Sequence, residues 1–268
     1  MMIGTAPASV AATLCLLLPT IPSIAEAGEC PSPTSEIATD RPDVTNSSLV
    51  VPVGTLQGEN GINSTGHGIE KTLDGTNSRL RLGVAPCLEL LVDLPNYFWG
   101  FRGSTDSGFS DVVPAVKWQL NSIPEPWNLS MTAGAGLPTG ATGITGLGIQ
   151  PYLQFPWSHE LGNGWGTSGM LTTFFFPSDP VNHQTTEATF VVEKKATDRL
   201  SLFVEYVGDY PIHGRDVELF NMGGEYLLTR TRQIDFHVAF GLNRNSPDYI
   251  VGIGYSWRFD NLFAVSTR

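Results

Sequence analysis

Between Tyr249 and Phe259 every second side chain is large and apolar: Tyr249, Val251, Ile253, Tyr255, Trp257 and Phe259 share one face, while Ile250, Gly252, Gly254, Ser256 and Arg258 share the other. Successive side chains of a strand point to opposite faces of its sheet, so a two-residue rhythm commits this segment to β structure with an oily side and a polar side. The rhythm recurs in Ile234, Phe236, Val238, Phe240 and Leu242 against Gln233, Asp235, His237, Ala239 and Gly241, and again from Trp127 to Ala135 and from Ile149 to Trp157. A soluble sandwich alternates too, with its apolar face packed inward. Two details favour a barrel in lipid. Trp, Tyr and Phe gather near strand ends, as in the girdles of membrane barrels, and the opposite face carries Gly, Ser, Thr and isolated charges, as a wet interior would. Composition agrees, because only 15% of residues are charged against about 25% in a typical soluble domain. The fold class expected is therefore all-β, a transmembrane antiparallel up-and-down β-barrel.

Twelve segments carry the pattern, near 56–64, 78–85, 88–98, 111–120, 127–135, 148–157, 166–176, 186–195, 199–207, 218–228, 232–241 and 249–259, so the barrel is expected over 56–259. An even number fits single-chain outer-membrane barrels, whose two termini face the periplasm. Short gaps at Pro86-Cys87, 196–198 and 229–231 then read as periplasmic turns, and 65–77, 136–147, 177–185 and 208–217 as outer loops. The gaps at 121–126 and 158–165 are longer than ideal turns, and the stretches 95–102 and 166–176 alternate poorly.

The amino terminus reads as a secretory signal over residues 1–27. Leu14–Leu18 sit in a small, uncharged stretch that ends in Ala25-Glu26-Ala27, a small-x-small cleavage site, although no Lys or Arg precedes the apolar run. A single anchor helix is the rival, but the run is too short and too interrupted by Pro to span a bilayer. Cys15 and Cys30 lack the small apolar residues that precede a lipidated cysteine. Cleavage removes Glu26 and takes the net charge from −11 to −10. An acidic chain without a Lys/Arg cluster argues against a nucleic-acid partner. Cys30 and Cys87 remain, in a compartment that permits a disulfide; two separate thiols fit the sequence equally well. Residues 28–55 are rich in Pro, Ser and Thr without sustained alternation, so this arm either enters the barrel as a plug or stays outside it.

Parity assigns Glu59, Arg79, Arg81, Glu89, Asp111, Lys117, Glu187, Glu193, Glu205, Glu225, Asp235, His237 and Arg258 to the interior. On the lipid face a charge at mid-membrane would cost roughly 2–4 kcal/mol, which is why these residues are expected to point inward or sit at an interface. Acids outnumber bases among them. They line either a hydrated, mildly cation-preferring passage or a salt-bridged interior that fills a narrow barrel without conducting. No Gly-x-Ser-x-Gly elbow, His-Glu-x-x-His helix, Walker loop or complete Gly-x-Gly-x-x-Gly fingerprint occurs. Asp235 and His237 share a face two residues apart, which suits polar lining better than a hydrolytic pair. His67, His159, His183 and His213 have no metal-ligand spacing, and neither a metal nor a cofactor is expected.

Five motifs carry a resemblance. Thr39-Asp40-Arg41-Pro42-Asp43, Val51 to Glu59, Gly108-Phe109-Ser110-Asp111 leading to Lys117, Leu137-Pro138-Thr139-Gly140, and the C-terminal run from Gln233 through Gly252-Ile253-Gly254-Tyr255 to Phe259 resemble, in their order, the outer-membrane family named Putative MetA-pathway of phenol degradation. The resemblance spans about residues 39–259 and implies an outer-membrane barrel that admits small hydrophobic or aromatic solutes. Its partners would be outer-membrane lipid, that solute, and the barrel-assembly machinery. Members tend to end on the terminal aromatic, whereas here residues 260–268 come after Phe259, leaving either a periplasmic tail or Phe263 as the strand end.

Overall fold

A computed structural model of the chain describes residues 30–31, 35–101, 107–120 and 126–263. The signal peptide expected over 1–27 and positions 264–268 of the tail lie outside the described residues. The strands are β1 (Leu56–His67), β2 (Glu70–Ala85), β3 (Leu88–Asp93), β4 (Tyr97–Phe101), β5 (Gly108–Phe109), β6 (Val113–Gln119), β7 (Trp127–Gly136), β8 (Gln150–Gly162), β9 (Trp165–Phe175), β10 (Gln184–Lys195), β11 (Leu200–Pro211), β12 (Val217–Thr229), β13 (Arg232–Gly241) and β14 (Tyr249–Phe259). Both β3 and β4 pair with β2, and they pair in turn with β6 and β5. Each of these two couples is one interrupted stave, so fourteen segments make a barrel of twelve, closed where β1 pairs with β14 from Leu56–Phe259 to Gly66–Tyr249. Closure matters physically, because an open sheet edge in hydrocarbon would leave backbone groups without partners.

The barrel is inside out relative to a soluble domain. Ile62, Leu90, Val116, Phe155, Leu171, Phe190, Leu202, Phe236 and Ile253 stand exposed on the outer face. The largest side chains with essentially no exposure are mostly polar or charged, led by Arg81, Lys117, Gln57, Gln233, Glu59, Glu89 and Glu205. Aromatic side chains ring both ends. Trp127 lies 5.8 Å from Trp157 and Trp257 4.7 Å from Phe259 near the short-turn end, while Tyr97 meets Trp99 at 4.6 Å and Phe109 at 4.9 Å near the other.

Two connections differ from expectation, and turn chemistry explains both. The stretch 65–77, read as an outer loop, is mostly strand: β1 and β2 run on to the pair His67–Glu70, joined through Gly68 in the left-handed region (φ 57°). The stretch 158–165, read as a gap, is likewise strand up to a tight turn at Asn163-Gly164, where both φ values are positive (54° and 73°). An Asn-Gly dipeptide is the favoured sequence for a two-residue hairpin turn of that hand. At the carboxyl end β14 stops at Phe259, not Phe263, and Leu262 N donates to the Gly54 carbonyl at 2.8 Å.

Candidate functional site

The arm before β1 lies inside the barrel. A disulfide joins Cys30 to Cys87 in the β2–β3 turn, with Cα atoms 5.3 Å apart. Ile37 N donates to the Arg230 carbonyl at 2.9 Å, and the Arg258 guanidinium donates to the carbonyls of Glu36 (3.0 Å) and Ser35 (2.8 Å), so the arm is held at the short-turn rim. From there it rises to a turn at Asp40–Thr45, returns through Asn46–Val51 and leaves over Gly83 to begin β1. A Cβ at Gly83 would overlap the Pro52 carbonyl oxygen, so the close crossing of the two backbones requires glycine.

This path makes sense once its backbone groups are counted. A segment without a strand partner, buried in a lumen, needs acceptors for its N–H groups, and the wall supplies them as side chains. Asp40 N donates to Glu59 Oε2 (2.8 Å), Thr45 N to Glu205 Oε1 (2.8 Å), Val50 N to Gln119 Oε1 (3.2 Å) and Val51 N to Glu89 Oε2 (2.6 Å). The polar residues that parity turned inward are thus the partners that let an irregular chain occupy the interior.

One wall, formed by β1, β2, β3 and β6, is saturated with ion pairs. Three cations converge on the plug carboxylate of Asp40: Arg79 at 3.0 Å, Arg81 at 3.3 Å and Lys117 at 3.3 Å. Arg81 also pairs with Glu59 (3.1 Å) and Glu89 (3.0 Å), and Arg79 grips Asp93 through two bonds of 2.6 and 2.9 Å. Burial pushes the Asp40 carboxyl up, but Arg81, Lys117 and Arg79 together outweigh it and hold the group well below the usual carboxylate range.

The facing wall, from β10 to β12, has a different balance. Glu187 and Glu193 on β10, Glu205 and Asp209 on β11 and Glu225 on β12 form no ion pair among the described residues. Register adds to the imbalance: Glu187 stands directly opposite Asp209, and Glu225 directly opposite Asp235. Like charges so placed are destabilising. Asp235 is offset by Arg41 of the plug at 3.3 Å. The Arg41 guanidinium lies flat on the β1–β14 seam, where a Cβ at Gly61 would overlap it and one at Gly254 would come within 2.6 Å of its Nε. Bare backbone at that seam is what Gly61 of β1 and its partner Gly254 of the C-terminal motif supply to the arginine of the N-terminal one.

Above the plug turn is a vestibule of about 720 Å³, floored by Asp40 to Val44 and lined by Asn63, Asn96, Phe98, Ile144, His237 and Ile250 among others. Below it, between plug and rim, lies a smaller pocket of about 220 Å³. Asp111 reaches the vestibule from the loop between β5 and β6, not from a strand. Its carboxylate accepts from Gly140 N (2.8 Å), Thr139 N (3.0 Å), Gly146 N (3.1 Å) and the Thr145 hydroxyl (2.6 Å), so it organises the 137–146 loop over the mouth. Burial pushes its carboxyl up, but those four donors together outweigh it and draw the group below the usual range.

Asp235 and His237 do not form a pair. His237 sits between the amide oxygens of Asn221 (3.2 Å) and Asn63 (3.3 Å), each amide being oriented by a carboxylate that takes its NH₂, Glu205 and Asp74 respectively. The geometry of a hydrolytic dyad is missing. Among the described residues no three His, Cys, Asp or Glu side chains are grouped as metal ligands would be. Charge and parity alone do not single out Gln57, Gln119 and Gln154, which bond the plug directly, or Asn63 and Asn221, which hold His237. The only trace in the sequence is that each occupies an inner-face position.

The family named Putative MetA-pathway of phenol degradation matches residues 39–259, and none of the curated proteins compared with the chain is detectably similar to it. Among solved structures, the COG4313 outer membrane channel from Pseudomonas putida F1 superposes with a TM-score of 0.62 at 14% identity, covering 86% of this chain and 100% of that one. The KdgM porin in complex with disordered oligogalacturonate gives 0.54 at 6% identity, covering 76% and 99%. Those likenesses establish the architecture of an outer-membrane barrel. With the match spanning the plug motif, every stave and the closing strand, the chain belongs to the Putative MetA-pathway of phenol degradation family and is a twelve-stranded β-barrel of the cell outer membrane.

Proposed function

We propose that this barrel is a channel for small hydrophobic or aromatic solutes, which enter through the vestibule and pass the plug along the acidic wall. The observation that carries the reading is the asymmetry of the lumen. One wall binds the plug through compensated charges, and the other is lined by carboxylates that form no ion pair among the described residues, an arrangement that favours water and cations over a sealed interior. The vestibule suits such solutes because it combines apolar side chains, Phe98, Ile144 and Ile250, with amides that can orient a polar group. The family name, from a phenol-degradation setting, and the channel from Pseudomonas putida support the same reading. Strand β14, ending on Phe259, is the segment offered to the barrel-assembly machinery during insertion.

The test is reconstitution of the full mature chain in planar bilayers and liposomes, measuring conductance, ion selectivity and uptake of an aromatic solute together. A cation-preferring current and saturable solute entry are expected. The plug itself favours a second reading, a closed structural or recognition barrel. Silence in every assay with correctly folded protein would establish that alternative.

A further inference from the structure

We propose that the plug turn Asp43–Thr45 is a gate, anchored on its Asp40 side and latched by Glu205, that leaves the acidic wall as pH rises; the inference rests on the channel reading. The anchor is the Asp40 cluster, backed on the return limb by Asn46 Nδ2 on Gln154 (2.8 Å) and the Ser48 and Ser158 hydroxyls at 2.8 Å. The turn itself touches the opposite wall through the Thr45 and Thr189 hydroxyls, 2.5 Å apart, and chiefly through Glu205. Val44 N donates to both Glu205 oxygens (3.1 and 3.0 Å), and Thr45 gives its N–H and its hydroxyl to Oε1, each at 2.8 Å. Asn221 Nδ2 adds a further bond to Oε2 at 2.8 Å. Every contact of that carboxyl is with a donor, so Glu205 serves as an ionised acceptor in the closed turn.

Asp43 is the neighbour of this latch, one residue before Val44. Around it stand Glu193 from β10, Glu205 from β11 and Glu225 from β12, with Asp235 and His237 from β13 and Glu59 from β1 nearby. The nearest cation on its own segment, Arg41, is committed to Asp235. Burial, then the charges of Glu205 and Glu225, push the Asp43 carboxyl well above its ordinary range, so the closed turn keeps a proton that a released turn would lose. Closure is therefore favoured at pH values below the raised value and is lost as pH climbs through it, by up to about tenfold per pH unit, the limit for one proton.

The experiment measures single-channel current and, independently, amide hydrogen exchange at Val44 and Thr45 referenced to Val191, from pH 5 to pH 9 in the full chain. Wild-type current and corrected exchange should both rise with pH. D43N should be flat and closed across the range. E205Q, which keeps the shape but loses an acceptor, should be more open at every pH. Exchange that rises with pH in an electrically silent protein would retain the gate and sink only the channel. Flat exchange in the wild type, or D43N behaving like the wild type, would overturn the gate.

Discussion

The two walls of the lumen both carry inward carboxylates and behave as opposites. On the β1–β6 side Arg79, Arg81 and Lys117 stand among Asp40, Glu59, Glu89 and Asp93, and each of these seven charges has an opposite partner within 4 Å. On the β10–β12 side Glu187, Glu193, Glu205, Asp209 and Glu225 form no ion pair among the described residues. The contrast teaches what a charge inside a barrel does. A compensated cluster is cement, because removing one member strands the others in a low-dielectric site. A carboxylate without a cation is tolerated where water or hydrogen-bond donors reach it, as Val44, Thr45 and Asn221 reach Glu205, and it leaves a negative field in the lumen.

The largest effect should come from breaking the cement. Arg81→Met leaves Glu59, Glu89 and Asp40 short of a cation, and stability should fall by about 3–5 kcal/mol. Heat modifiability on a gel and the urea midpoint in detergent would show it, and an unchanged midpoint would mean that the paired wall holds nothing. Replacing both Cys30 and Cys87 with serine should cost about 2–4 kcal/mol, expressed as protease access to the arm while the barrel itself stays folded. Gly61→Ala pushes a methyl group into the Arg41 guanidinium. A loss of about 1–3 kcal/mol, the usual size of overpacking, is expected, with a rise in channel current as the turn is displaced.

The smallest change lies on the acidic wall. Glu187→Gln removes a like-charge pair with Asp209, so stability should hold or improve by about 0.2–1 kcal/mol while the preference for cations over anions declines. If that variant unfolds as readily as Arg81→Met, the distinction between the walls is wrong. Acid should separate them as well. A group held below its ordinary value, as Asp40 is, stabilises the fold above its unfolded pKa and fails only when pH falls through the depressed one, so the anchor should outlast mild acid. Asp43 has the reverse sign, and mild acid should tighten its turn.

Much of this architecture is legible in residue order. Alternation locates all twelve staves, and the segments that alternate poorly prove informative. Met170-Leu171, Val191-Val192 and Phe203-Val204 break the rhythm because Met170, Val191 and Phe203 are apolar yet buried on the inner face. Met170 adjoins the plug there, its sulfur 3.4 Å from Asn46 N, and not the lipid. A lumen filled by its own chain relaxes the demand for polarity that an open one imposes. The strand extensions at Gly68 and Asn163-Gly164 escape a reading by periodicity for another reason: turn residues look like loop length, whereas their backbone hand permits a two-residue hairpin.

By itself the sequence determined the consequences of a period of two: strand or not, which side of the wall each residue faces, and hence that acids would outnumber bases inside. Parity is local, since it depends only on neighbouring covalent geometry. Which acid meets which base is not local. Asp40 and Lys117 lie 77 positions apart and Thr45 and Glu205 160, and they meet only because the arm turns back into a closed cylinder whose register is set by all its staves together. Coulomb and hydrogen-bond energies fall steeply with distance and depend on burial, so the division into an ion-paired wall and an acidic one was decided by the tertiary fold.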